Sequence, residues 1–285
     1  MRIGLAILLT LLLCNQSHGQ LSEQQANEVR AMHWSPATGF RLTTSKSSLG
    51  NLPDFQLIAG PEARRFREMI DGRSDPEQEA DAFNTSTNSE LIYEWYPHGF
   101  IKSDDWTDVD PDSFLEQMKE RDAEANKIRV QKGIPILNTT GWRQKPTLNQ
   151  DTHTVSWGIE GTDSNGGKIL NFVALKLGRY GFEKILWIVE PKDIGDRNDL
   201  LLAINAHLFD NGARYTDYIA ATDHTAEYGI AGLVAGVIGV KILKVAGIGA
   251  AIVALKKFAI VLILPLIYAW RKIVGLFKHK SNQKV

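Results

Sequence analysis

The apolar positions along the chain change their spacing twice, and the three stretches so marked predict three kinds of segment. Residues 3–13 form a run of about eleven mostly apolar residues behind Arg2, followed by the small-x-small triplet Ser17-His18-Gly19. A positive start, a short apolar run and a small-residue cleavage site predict a secretory signal peptide over residues 1–19. The run is too short to cross ~30 Å of hydrocarbon as a helix. From residue 20 to about 225 the apolar residues recur at helix or strand spacing between turn signals. Residues 24–32 suit a short helix in an otherwise loosely held lead-in. Pro61 after Gly60 opens another, with Phe66, Met69 and Ile70 facing inward. Residues 71–90 are polar and rich in Ser, Thr, Asn and Asp, which predicts a loop. Residues 91–96 read as a strand entering the turn at Pro97-His98-Gly99. Asp110-Pro111 supplies an N-cap and a first-turn proline for a helix to about Gln131, stopped by Gly133. Residues 153–159, 169–177 and 182–190 are three strands, the first two joined through the hairpin signal Asn165-Gly166. From Asp193 a helix carries Leu200, Leu201, Ile204, Leu208 and Phe209, closed by Asn211-Gly212. Antiparallel strands with short helices predict one α+β domain over residues 20–225.

Beyond residue 225 the pattern changes again. Residues 228–240 are apolar and Gly-rich, residues 245–255 are apolar, and Lys241, Lys244 and Lys256-Lys257 punctuate them. At helical spacing Lys241, Lys244 and Lys256 share one stripe, which predicts an amphipathic helix over residues 226–257, lying at a membrane interface or against a partner. Gly232-xxx-Gly236 forms a small-residue ridge that permits a second helix to approach, as in a homo-oligomer or with a membrane-protein partner. The same glycines also suit flexibility or tight packing on the protein's own domain. Residues 258–270 are an uninterrupted apolar run of thirteen. Snorkelling lysines and residues 273–277 lengthen it, and 258–277 is the predicted transmembrane anchor in membrane lipid. Arg271, Lys272 and the basic tail 278–285 form its cytoplasmic flank. With a cleaved signal peptide, one span leaves the domain outside and the tail inside; two spans would put the tail outside, against the positive-inside bias.

Charge sharpens that division. The whole chain holds 32 Lys and Arg against 33 Asp and Glu. Residues 20–225 hold 22 against 32, and residues 226–285 hold nine against the single Glu227. An acidic domain argues against nucleic acid as a partner. A hydrophobic content of 44% excludes a disordered chain, and the one cysteine excludes a disulfide scaffold and a thiolate metal site. A lipidated cysteine normally follows a small residue, whereas Leu13 precedes Cys14. Cleavage at Gly19 removes that cysteine and excludes thiol catalysis from the mature chain.

No His-Glu-x-x-His, Gly-x-Ser-x-Gly, Walker or Cys-x-x-Cys motif occurs. The densest chemistry is His98, Lys102, Asp104, Asp105, Asp108, Asp110 and Asp112. Asp108-x-Asp110-x-Asp112 has the first spacings of a calcium loop but lacks its glycine, and Lys119 stands where the closing Glu belongs. The plainer account is that Asp110 caps the helix, Asp112 complements its dipole and the rest are solvated. No metal or cofactor follows from these residues. Asn126 and Arg129 share a helix face and suit either an anion clamp or a salt bridge to the acidic loop. Arg179 and Arg214 sit in turn or sheet-edge contexts, as ties of the fold or as ligand contacts. Trp142, Trp157 and Trp187 read as core, and His153 as a cross-strand surface residue.

In order along the chain stand Gly99-Phe100-Ile101-Lys102-x-Asp104-Asp105, Asp110-x-Asp112, Asn126-x-x-Arg129-x-x-x-Gly133 and Gly141-Trp142-x-x-x-Pro146. Trp157, Asn171, Leu177-Gly178-Arg179-x-Gly181, Gly212-x-Arg214-Tyr215-x-Asp217 and Tyr228-Gly229-Ile230-Ala231 follow. Over roughly residues 40–275 this ordered set resembles the domain of unknown function 2167 family of bacterial membrane-anchored proteins. It departs at Asp151-Thr152-His153, where a Tyr-Asp pair is expected shortly before. The resemblance implies an extracytoplasmic domain at the bacterial inner membrane and implies no activity. Together the readings favour a non-enzymatic binding or assembly module at the bacterial envelope. The alternative is a divalent-ion-assisted hydrolase using the Lys102/Asp104/Asp105 region.

Overall fold

In the computed structural model, residues 22–71, 75–87, 89–131, 136–164, 166–189, 191, 194 and 198–240 are described. Seven longer strands and one short one form an antiparallel sheet: β1 (Ser35–Pro36), β4 (Phe55–Ala59), β5 (Gln78–Asn84), β6 (Glu90–Tyr96), β7 (Leu137–Asn149), β8 (Thr154–Asp163), β9 (Lys168–Leu177) and β10 (Phe182–Ile188). Their spatial order is β1-β4-β5-β6-β10-β9-β8-β7. A smaller antiparallel sheet, in the order β11-β3-β2, joins β2 (Arg41–Leu42), β3 (Ser47–Leu49) and β11 (His207–Phe209).

Side chains alternate across a strand, so a sheet covered on both faces needs two apolar sets. One set, with Ile92, Trp157, Val173, Leu175 and Leu186, packs against α3 (Pro111–Gln131) and α5 (Ile230–Ile238). The other set, with Leu57, Leu91, Tyr93, Ile185 and Trp187, packs against the small sheet and α4 (Asp199–Ala206). At the far end α1 (Glu23–Ala31) and α2 (Gly60–Asp71) close a third cluster, with Val29 and Phe66 around Ile58.

The α+β class, the strands after residues 90, 153, 168 and 181, and the helices after residues 22, 60 and 110 agree with the sequence reading. Phe66 and Met69 are buried as expected; the side chain of Ile70 lies outside the described residues, as do Gly133 and Asn165. Residues 71–90 are a correction. Much of this polar stretch is β5, an interior strand between β4 and β6 with six of its seven residues buried. Its acids are satisfied rather than solvated. Glu79 accepts the backbone N–H groups of Thr44 (2.6 Å) and Ser45 (3.1 Å), and Asp81 takes two bonds from Arg67, at 2.7 and 2.8 Å.

Two helix boundaries also differ. The helix expected from Asp193 to Phe209 runs from Asp199 to Ala206, capped by Asn198 Oδ1 on the Leu201 N–H at 2.9 Å. Residues 207–209 instead pair with β3, which leaves Leu208 52% exposed. The helix expected across residues 226–257 begins at Ile230 and stops at Gly239, whose φ of 81° forms a left-handed C-cap. All nine residues of α5 are buried. Gly232 and Gly236 are enclosed with it in the domain. Lys241, Lys244, Lys256, the predicted anchor 258–277, the tail and the signal peptide lie outside the described residues. Among the described residues no helix is long and apolar enough to cross a membrane.

Candidate functional site

The acidic stretch after β6 is the seat of α5. A helix start leaves backbone N–H groups without intrahelical partners. The Ile230 N–H goes to Lys102 O at 2.8 Å, and the Ala231 N–H goes to Asp105 Oδ1 at 3.3 Å. Burial pushes the Asp105 carboxyl above its ordinary value, against the pull of those two amides. Gly229 makes room for this contact: a Cβ there would lie 2.3 Å from Asp105 Oδ2. Lys102 and Asp104 are exposed. Asp110 caps α3 through the Ser113 N–H at 3.0 Å, and exposed Asp112 pairs with Lys145 at 2.7 Å. His98 Nδ1 hydrogen-bonds the Tyr228 hydroxyl, and burial pushes the imidazole pKa down and the phenol pKa up. Among the described residues no group of three or more His, Cys, Asp or Glu side chains could hold a metal ion.

Arg179 and Arg214 meet at a second place. Arg179 clamps Asp223 with two bonds, at 2.6 and 2.8 Å, and reaches Gly212 O at 3.2 Å. The guanidinium holds the Asp223 carboxyl down to about 2. Arg214 enters through its backbone: Gly178 and Arg214 form an isolated bridge, and the Arg214 N–H donates to Asp217 at 3.0 Å. The side chain of Arg214 is exposed. Next to them Phe100 lies between Tyr215 and Tyr218, with ring centroids 4.5 and 3.7 Å away. His153 is not a cross-strand residue. It occupies a turn at φ 48° and lies against the other side of Tyr215 at 4.4 Å. Trp157 and Trp187 are buried, while Trp142 is partly buried and donates to Pro111 O at 3.0 Å.

Asn126 and Arg129 lead to the third place, a cavity of about 70 Å³ between α3 and the β7–β9 end of the sheet. The Asn126 amide imitates a neighbouring strand, since it accepts from the Leu137 N–H (3.0 Å) and donates to Leu137 O (2.8 Å). Arg129 donates through Nη1 to Asn126 Oδ1 at 2.8 Å, so it is not bridged to the acidic loop. It is 5% exposed. Arg121 lines the same cavity and donates through Nη1 to Ile238 O at 2.6 Å, the last carbonyl of α5. Asp122 is the single carboxylate of the lining, 3.7 Å from Arg121 Nη2 and engaged by the Thr139 N–H and hydroxyl at 2.8 and 2.6 Å. Nε of both arginines and Oδ1 of Asn171 are buried without a hydrogen-bond partner.

Burial pulls both guanidinium pKa values down, Asp122 opposes this for each, and the nearby Arg121 charge adds to the effect on Arg129. A guanidinium starts so high that both remain cationic at neutral pH. The arrangement can therefore attract and fork an anionic group. It was partly visible in the sequence. Phe114, Met118, Asp122 and Arg129 continue one helical stripe, and charges at its buried positions are the signal that Arg121 and Asp122 belong with Arg129. Asn171 also stood among the ordered motifs.

The three places, an acidic seat for α5, an arginine–aspartate tie and an arginine-lined cavity, belong to an α+β domain whose last described helix is buried. The chain belongs to the family described as Protein of unknown function (DUF2167), whose sequence profile matches residues 36–267. A comparison with curated proteins gave no match. Among solved structures, the solution structure of cyanobacterial PsbP (CyanoP) from Synechocystis sp. PCC 6803 is similar at 8% identity and a TM-score of 0.36. The match covers 60% of this chain and 91% of that one.

Proposed function

We propose that this protein is a non-enzymatic binding or assembly module at the bacterial envelope, with its domain outside the cytoplasm and the chain beyond α5 as its membrane anchor. The observation that supports it best is the burial of α5. All nine of its residues are enclosed, its start is held by Asp105 and Lys102 O, and its last carbonyl is held by Arg121. Two residues past that carbonyl the apolar, lysine-punctuated stretch begins. The chain is thus held by the domain up to the end of α5, the point from which it continues toward the proposed anchor. The basic residues after position 270 suit a cytoplasmic end, and the short apolar run at residues 3–13 suits export. Nothing in the geometry favours the hydrolase alternative: the Asp105 carboxylate is spent on a helix start, and Lys102 and Asp104 are solvated.

A photo-crosslinking residue at exposed Lys102 in the full chain tests the reading in cells. Irradiation is expected to yield a discrete species above the monomer mass that survives detergent extraction. No adduct, together with a monodisperse detergent-solubilised monomer, contradicts it.

A further inference from the structure

We propose that the cavity between α3 and β7–β9 is a binding site for an oxyanion group, a carboxylate or phosphate at the end of a small ligand, gripped by Arg129 and Arg121. The inference concerns the ligand and is independent of how the chain is anchored.

Charge comes first. Two guanidiniums face one carboxylate, and that carboxylate already accepts two bonds from Thr139. A buried cation without a counter-charge is among the costlier features a fold can carry. Arg129 nevertheless bonds a neutral amide, Asn126 Oδ1. A purely structural role at this position needs no charge, and a ligand that brings a negative one supplies what is missing.

Geometry gives the type of anion. Nε and Nη2 of a guanidinium share one edge, the side-on fork that matches two oxygens of a carboxylate or phosphate. In Arg129 the bond to Asn126 uses Nη1, and Nε has no partner. In Arg121 the bond to Ile238 O also uses Nη1 and Nε has no partner, while Nη2 faces Asp122 at 3.7 Å, so the free fork is that of Arg129 and Arg121 adds its Nε–H and its charge. Apolar side chains, Leu137 and Ile159 among them, wall the cavity, and their low polarisability strengthens attraction between the arginines and an anion.

Size limits what enters. One water needs roughly 10–15 Å³ of such space, so about 70 Å³ admits a carboxylate or phosphate group but not a whole metabolite. The ligand's body must therefore extend outward, past partly exposed Arg121 and Asn171. Because Ile238 lines the cavity, the bound group would lie against the last turn of α5.

The test uses the detergent-solubilised full chain with sodium phosphate and, separately, sodium acetate, against sodium chloride at matched ionic strength. Wild type is expected to show saturable shifts of the arginine Nε–Hε resonances and a saturable rise in Tm. Saturation separates site binding from the general stabilisation that phosphate gives by exclusion from protein surfaces. The larger response, to phosphate or to acetate, names the group. Arg129→Met should abolish the response and leave the ligand-free Tm unchanged or higher, since it removes an uncompensated charge at similar volume. Arg129→Lys keeps the charge, loses the fork, and should weaken binding at least tenfold. Wild type that responds no more to either oxyanion than to chloride overturns the proposal. So does an Arg129→Lys protein with wild-type affinity, which also decides the matter if Arg129→Met fails to fold.

Discussion

His207 and Glu183 are fully buried on the sheet face opposite α3, 3.7 Å apart, and none of their side-chain N or O atoms has a hydrogen-bond partner. Burial takes the His207 pKa down to about 3, with the Lys176 charge adding, and pushes the Glu183 carboxyl well above its usual range. His207 is therefore uncharged in the folded protein at pH 7. A base whose folded pKa is depressed stabilises fully above its unfolded value, here about 6.5, and that stability is lost as pH falls toward about 3. The unfolded chain takes up a proton in that window and the folded chain does not. His207→Leu should accordingly flatten the acid limb of stability against pH, by about 1.4 kcal/mol per pH unit where the histidine dominates. Urea unfolding between pH 4 and pH 7 measures this, and parallel limbs in variant and wild type contradict it. The sequence could not show this pair, because Glu183 and His207 are 24 positions apart and are brought together by tertiary packing. Asp110 was legible because a helix cap needs only its own neighbours. Asn126 was half legible: its helix face could be counted, but its partner Leu137 stands on a strand that the pattern left unmarked.

At the scale of elements, α5 and β5 carry the main lessons. Within α5, nine consecutive buried residues give no amphipathic stripe, so periodicity alone left its glycines open between contact with another helix and packing on the protein's own domain. Its actual neighbours are Asp105, Tyr228 and α3, all supplied by tertiary contacts. β5 misled in the opposite direction. Gln78-Glu79-Ala80-Asp81 looks solvated, yet backbone amides and Arg67 satisfy its acids inside the sheet. A bulge between Gln78 and Ala80 also breaks the two-residue alternation that would have marked a strand. The seat of α5 gives a prediction that separates two adjacent acids. Asp105→Ala should cost about 1–2 kcal/mol, the range of a lost N-cap, and should speed hydrogen exchange of the α5 amides from Leu233 to Val237. Asp104→Asn, on an exposed side chain, should stay within about 0.5 kcal/mol. Equal effects of the two substitutions, read by denaturant unfolding and hydrogen exchange, would falsify the assignment of Asp105 as the cap.

Over the whole molecule the contrast between segments explains why the summed charge says so little. Residues 20–225 carry ten more acids than bases, while residues 226–285 carry nine bases and one acid. The α+β class was readable because β6, β8, β9 and β10 have β-rich runs bounded by turn signals and α3 has a clear cap. The small sheet of the second layer was not, since its strands have two or three residues each and too little sequence for any period to appear. The cavity required three distant pieces, α3, the β7–β9 end of the sheet and the last turn of α5, and no pattern along the chain shows that they meet. What unites fold, cavity and proposed function is the path of the chain out of α5, which links a buried helix to the basic, apolar C-terminal stretch. Topology reporters fused after residues 225, 257 and 285 of the chain, starting from Met1, measure that path in bacterial cells. Alkaline phosphatase is expected to be active after residue 225 and inactive after residue 285. Activity after residue 285, or none after residue 225, contradicts a single anchor that holds the domain outside.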